Sequence, residues 1–176
     1  MHPSENNLEE NRSLRRAMRD LVALSTLPAV WTGLDPDGIA HSLADVLRDT
    51  LSLDFVYVRL TGRANEGTIE VIRSKYDAEQ MAVLRSSLAS LLKTGPRQLP
   101  DTIPHPLGGG TINVAVTRLG VSGDCGVVIT GSDNPDFPTE QDRLLLNVGA
   151  NQTAFVVQRR WAERAVADSE ARKAAI

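Results

Sequence analysis

The sequence predicts an α+β fold in which helices flank a single antiparallel sheet. Three observations predict it. Four short β-type runs come as two pairs, "LDFVYVRL" with "TIEVIRS" and "TINVAVTRLG" with "CGVVITGS", each pair joined by a turn-rich stretch. Helical-period segments lie before, between and after these pairs, so strands and helices do not alternate one for one as a parallel sheet requires. The chain has 176 residues, 41% hydrophobic and 23% charged, enough for one domain with a proper core.

Taken in order, residues 1–7 read as a disordered tail. From Leu8 to about Leu27, Leu14, Met18, Leu21, Val22 and Leu24 recur at helical spacing, and Pro28 ends or bends that helix. A second amphipathic helix follows in "LDPDGIAHSLADVLRDTL". Asp35 suits its cap and Pro36 its first turn, with Ile39, Leu43, Val46, Leu47 and Leu51 on one face.

"LDFVYVRL" then alternates: Phe55, Tyr57 and Arg59 share one face, Val56, Val58 and Leu60 the other. "TGRANEG" turns the chain into "TIEVIRS". "YDAEQMAVLRSSLASLLKTGP" is a third helix, with Met81, Leu84, Leu88 and Leu91 on its buried face and Gly95–Pro96 as its stop. "RQLPDTIPHPLGGG" predicts irregular structure with room for one short strand. The second strand pair follows, separated by "GVSGD". A closing helix begins after Thr139, a good N-cap with Glu140 and Asp142 in the first turn, and runs to about Ala167. Leu144, Leu145, Val148 and Phe155 are expected to pack it on the sheet.

Charge and composition exclude several classes. The net charge is −3, which offers nucleic acid and anionic membrane no general attraction. No apolar run reaches the roughly 20 residues a bilayer span needs, and the N-terminus lacks the apolar core of a secretory signal. The single cysteine, Cys125, rules out an internal disulfide and a multi-cysteine zinc site. A cytoplasmic protein is expected.

The helix and strand order, with "LDFVYVRL" as first strand and "CGVVITGSDNPDFPTEQDRLLLNVGANQTAFVV" as last strand, loop and closing helix, resembles a GAF domain over about residues 20–160. "DFPTEQDRLLLNVGANQ" is its most specific part and looks like the closing segment of GAF modules in bacterial sensor histidine kinases, upstream of PAS or kinase modules. The resemblance implies five to six antiparallel strands, terminal helices on one face, and a pocket under the third helix and the loops on the other. It implies a GAF-like domain over 8–160 and, in 161–176, a connector helix toward a downstream module. It further implies a sensory or regulatory role in two-component signalling, with a small-molecule ligand of unidentified kind. The alternative is a ligand-free dimerisation and relay module.

No catalytic site is expected: no nucleophile–base pattern, metal-ligand spacing or titratable cluster stands out. "GGG" at 108–110 lacks the lysine of a phosphate-binding P-loop. A covalent bilin is disfavoured, because 75–93 contain no cysteine. The candidate ligand-binding residues are Phe55, Tyr57, Arg59, His105 and Asn113. Arg59 would place a permanent cation on the pocket face, for an anionic ligand or for an internal salt bridge. His105, in "TIPHPLGGG", is a surface loop residue, a ligand contact or a haem ligand. Leu14, Met18, Leu21, Phe155, Trp161, Ala162 and Val166 are candidates for a dimer or relay stripe, since apolar residues on a polar helix most often meet a partner helix.

Overall fold

The computed structural model describes residues 3–63, 66–94 and 100–176, with side chains from Asn6 onward. The order is α1 (Pro3–Ser25), α2 (Leu27–Val30), α3 (Pro36–Leu51), β1 (Phe55–Thr61), β2 (Thr68–Ser74), α4 (Ala78–Thr94), β3 (Thr102–Pro104), β4 (Thr111–Leu119), β5 (Gly126–Ser132) and α5 (Glu140–Ala174). The strands form one five-stranded sheet in the order β2-β1-β5-β4-β3, with every neighbouring pair antiparallel. The α+β expectation holds, and the strand count is the lower of the two expected.

Local chemistry fixes the helix starts. Asp35 accepts a hydrogen bond from the Gly38 amide at 2.8 Å, and Pro36 fills the first turn of α3. Thr139 and Asp142 cap α5 reciprocally: the Asp142 amide donates to Thr139 Oγ1 at 3.2 Å and the Thr139 amide to Asp142 Oδ2 at 2.9 Å. α1 starts at Pro3, so residues 3–7 are helical rather than a disordered tail. A proline tolerates the first turn of a helix, where its missing N–H has no partner to lose.

The alternation of β1 divides the molecule into two apolar layers. Val56, Val58 and Leu60 join Val71, Ala115, Leu119 and Val128 beneath α1, α3 and α5. α2 belongs to this layer through Trp31, fully buried, whose Nε1 donates to Ser42 Oγ at 2.8 Å. Phe55 and Tyr57 join Ile112, Val114 and Ile129 beneath Leu84, Leu88 and Leu91 of α4. Each of those leucines contributes about 1.5–3 kcal/mol by leaving water. One face thus carries several helices, the other α4 alone.

α5 buries a different stripe from the expected one. Leu145 is buried and Val148 half-buried, but Leu144 and Phe155 are exposed. The buried face runs through Leu145, Leu146, Gly149, Ala150, Thr153, Ala154, Val157 and Trp161. Its middle is small residues, which a search for large apolar side chains passes over. Small residues let helices approach closely. A Cβ on Gly149 would sit 3.3 Å from Leu47 Cδ2, 3.4 Å from Leu43 Cδ1 and 3.9 Å from Leu24 Cδ2, so α1, α3 and α5 meet there. The proposed dimer stripe divides accordingly. Trp161 is buried in the helix-covered core and Leu21 packs against it, while Leu14, Met18, Phe155, Ala162 and Val166 are exposed.

Candidate functional site

The α4-covered face has two polar ends, and the strand register decides what each contains. Arg59 of β1 pairs with Val127 of β5, which pairs with Arg118 of β4. Two arginines therefore stand on the same face, separated by one intervening strand. They line a cavity of about 220 Å³ at the C-terminal end of α4. Leu91, Leu92, Val116 and Ile129 supply apolar walls, and Thr61 and Ser122 supply hydroxyls.

The electrostatics here are incompletely resolved by the protein itself. Arg59 Nε is buried without a hydrogen-bond partner. Its nearest carboxylate oxygen, Glu70 Oε1, lies at 4.0 Å, close enough for Coulombic attraction and too far for a hydrogen bond. Glu70 is the cross-strand partner of Arg59 but accepts the hydroxyl of Tyr57 at 2.5 Å. Burial, then that bond, pushes the Tyr57 hydroxyl well above the ordinary phenol range, so Tyr57 remains a neutral donor. Glu70 is thus drawn toward Tyr57 and only partly serves Arg59.

The loops below the cavity are built tightly. Gly126 has φ +133, a region that favours glycine, and a Cβ there would fall 1.9 Å from the Arg59 carbonyl oxygen. The Thr61 amide donates to the Cys125 carbonyl at 2.9 Å. Burial raises the Cys125 thiol above its ordinary value, and Cys125 lies in the same buried apolar cluster as Val157 and Trp161 of α5. Cavity wall, β4–β5 loop and α5 are therefore consecutive in contact.

At the other end of the strands the charges are closely matched. Lys75 Nζ reaches Asp54 Oδ1 at 2.5 Å and Asp133 Oδ2 at 3.0 Å. His105 Nε2 meets Asp133 Oδ1 at 2.6 Å, and the Leu107 amide donates to His105 Nδ1 at 3.0 Å. Lys75 is held strongly protonated, chiefly by its bond to Asp54. Burial alone would raise the Asp133 carboxyl, but the hydrogen bonds from Lys75 and His105 prevail and hold it below the usual range. Tyr76 stands edge-on to the His105 ring, its hydroxyl pushed up to about 12 mainly by burial.

These placements sort the five candidate ligand residues. Arg59 alone among them lines the cavity. Tyr57 stands behind it, holding Glu70. Phe55 lies fully buried over Gly131, where a Cβ would be 2.0 Å from Phe55 Cε1, and it packs rather than lines. His105 is a correction: both ring nitrogens are engaged in the Asp133 cluster, about six residues along β5 from Val127, or roughly 20 Å at 3.3 Å per residue. That geometry suits neither a contact in the Arg59 cavity nor a haem ligand. Asn113 is a second correction. Its register partner is Ser132, and its Nδ2 donates to the Asn134 carbonyl at 3.0 Å, on the face opposite Ile112 and Val114.

Sequence reading missed Arg118, Val127, Thr61 and Ser122. Arg118 shares strand parity with Ile112, Val114 and Val116, which signals its face. That it stands two strands from Arg59 follows only from the sheet order. Among the described residues no group of three or more His, Cys, Asp or Glu is arranged to hold a metal ion, and no helix is long and apolar enough to cross a membrane.

The architecture is that of a GAF domain. The chain superposes on the GAF domain of a protein named as a sensor histidine kinase from Pseudomonas syringae pv. tomato with a TM-score of 0.62 at 14% identity, over 93% of this chain and 99% of that one. It superposes on the GAF domain of an Acinetobacter phosphoenolpyruvate-protein phosphotransferase with a TM-score of 0.50 at 11% identity, over 86% and 96% of the two chains. No protein-family model and no curated protein matches the sequence. The chain therefore has the GAF fold, with the pocket-bearing face under α4 and the terminal helices behind the sheet.

Proposed function

We propose that this chain is a sensory module of a cytoplasmic signalling protein, which holds a small molecule in the Arg59 cavity and passes its presence to α5. The observation that carries the reading is the contact path from that cavity. Thr61 lines the cavity and its amide bonds the Cys125 carbonyl, and Cys125 is buried in one apolar cluster with Val157 and Trp161, the last buried residue of α5. A ligand that favours one arrangement of these loops biases the seating of α5 by its differential affinity for the two arrangements. The lining offers cations, hydroxyls and aliphatic walls, with no nucleophile beside a base, so recognition rather than reaction is its chemistry. In this reading, 161–176 lead toward a downstream PAS or kinase module of a two-component system.

Native mass spectrometry tests this on the purified chain and on Val127→Phe, which fills the space between the two arginines. Wild-type protein should retain added mass or gain it from a metabolite mixture, and amide exchange over 153–166 should slow with it. The same added mass, or none, on both chains together with identical exchange would remove the sensory reading.

A second reading rests on a separate observation. Leu14, Met18 and Val22 of α1, and Phe155 and Val166 of α5, are large, apolar and exposed. A homodimer through the terminal helices would cover them, as a ligand-free relay requires. Met18→Glu with Phe155→Glu should then convert a dimer to a monomer in sedimentation. A wild-type chain that stays monomeric at high micromolar concentration contradicts it.

A further inference from the structure

Resting on the sensory reading of the cavity, we infer that the ligand is a small organic monocarboxylate with a short apolar body. Four observations select this class. First, Arg59 is permanently charged and keeps a buried Nε without a hydrogen bond, although Glu70 lies 4.0 Å away. A planar two-oxygen carboxylate fits a planar guanidinium, and a charge-assisted bond there satisfies the unmatched donor. Second, Arg118 stands across Val127 on the same face and adds a second positive charge to the cavity wall.

Third, three backbone donors beside the cavity are already committed. The Gly123 amide bonds the Gly120 carbonyl, the Gly126 amide bonds the Gly123 carbonyl, and the Thr61 amide bonds the Cys125 carbonyl. A phosphate carries three oxygens to satisfy and is commonly cradled by several free amides in a row, and the three amides named here are taken. Fourth, the cavity is small and mainly aliphatic. At about 220 Å³ it lies below the roughly 300–1,000 Å³ of pockets that take drug-sized ligands. Leu91, Leu92, Val116 and Ile129 suit a compact apolar body, a ring or a short chain, standing off the charged end.

Isothermal titration of the whole chain with benzoate, hexanoate, benzamide, hexylamine and inorganic phosphate separates the classes. Benzoate or hexanoate should bind, the amide and amine at least tenfold more weakly, and Arg59→Gln should weaken the carboxylate at least tenfold. Arg59→Lys should recover part of the loss, and the unfolding temperature of each variant verifies that it is folded. Equal binding of benzamide and benzoate, tighter binding of phosphate, or an unchanged Arg59→Gln overturns the inference. Mass retained by wild type and lost in Val127→Phe, with no response to either carboxylate, overturns the ligand class and leaves the sensory reading intact. No retained mass together with no response to any of the five probes overturns both.

Discussion

The two ends of the α4-covered face carry similar numbers of charges and differ in what those charges have to do. Lys75, Asp54 and Asp133 each meet an opposite charge within 3.0 Å, and His105 hydrogen-bonds Asp133 at 2.6 Å. Around Arg59 the nearest carboxylate is at 4.0 Å and turned toward Tyr57. The first arrangement ties β1, β5 and the β3–β4 loop together. The second leaves a cation with binding capacity in hand beside a cavity. Charge on a pocket-side strand is therefore a poor marker of a site, and unmet hydrogen-bonding capacity next to empty space is a better one.

Four perturbations sharpen this contrast. Phe55 is fully buried and packs over Gly131 in the layer both ends share, so Phe55→Ala should cost about 3–5 kcal/mol in denaturant unfolding. It should loosen both ends at once, and a loss confined to one of them would show that the layer is not a common support.

Lys75→Met removes the cation between two carboxylates. Discounted for the near-half exposure of Lys75, the loss should be about 1–2 kcal/mol. Carboxylate binding at Arg59 should be unchanged, and a matching loss of affinity would mean that the two ends are coupled.

Asp133→Asn probes the same cluster by pH. The folded carboxyl is depressed, so its stabilisation is present above the unfolded value of about 3.9 and is lost as pH falls through the lower folded value. Wild-type and variant unfolding curves should differ at neutral pH and converge as pH falls below about 4. Parallel curves down to strong acid would deny Asp133 that role.

Arg59→Gln should have the smallest effect on stability, within about 0.5 kcal/mol, because the side chain it replaces makes no hydrogen bond through Nε. A loss of several kcal/mol would make Arg59 a structural cation and move it into the class of Lys75.

Much of this was readable from residues. The parity of "LDFVYVRL" places Arg59 with Phe55 and Tyr57 on the α4 side because large residues on both faces mark the pleat. The caps of α3 and α5 were equally plain, since Asp35 and Thr139 precede apolar-periodic runs. Asn113 misled because a polar residue suggests the pocket side, whereas it is the apolar set of "TINVAV", Ile112, Val114 and Val116, that faces α4 and Asn113 has the opposite parity. His105 misled because its partner, Asp133, is 28 positions away and only the β4–β5 register brings them together. α5 misled because its contact face is glycine, alanine and threonine, chosen for closeness rather than bulk. Arg118 could be given a face but no neighbour, because a neighbour needs the strand order.

Trp161 is the last buried residue of α5, Arg164 pairs with Glu66 at 3.7 Å one turn later, and the ten residues from Ala165 to Ala174 continue the same helix with every side chain exposed. Mechanically this is a rod clamped at one end. At 1.5 Å per residue its free arm is about 15 Å, so a tilt of about 7° at the clamp carries the tip nearly 2 Å sideways. A displacement too small to disturb the sheet thus becomes, at the far end of the rod, as large as a change of side-chain packing partner. The helix multiplies movement by leverage alone, with no need for the domain to change shape.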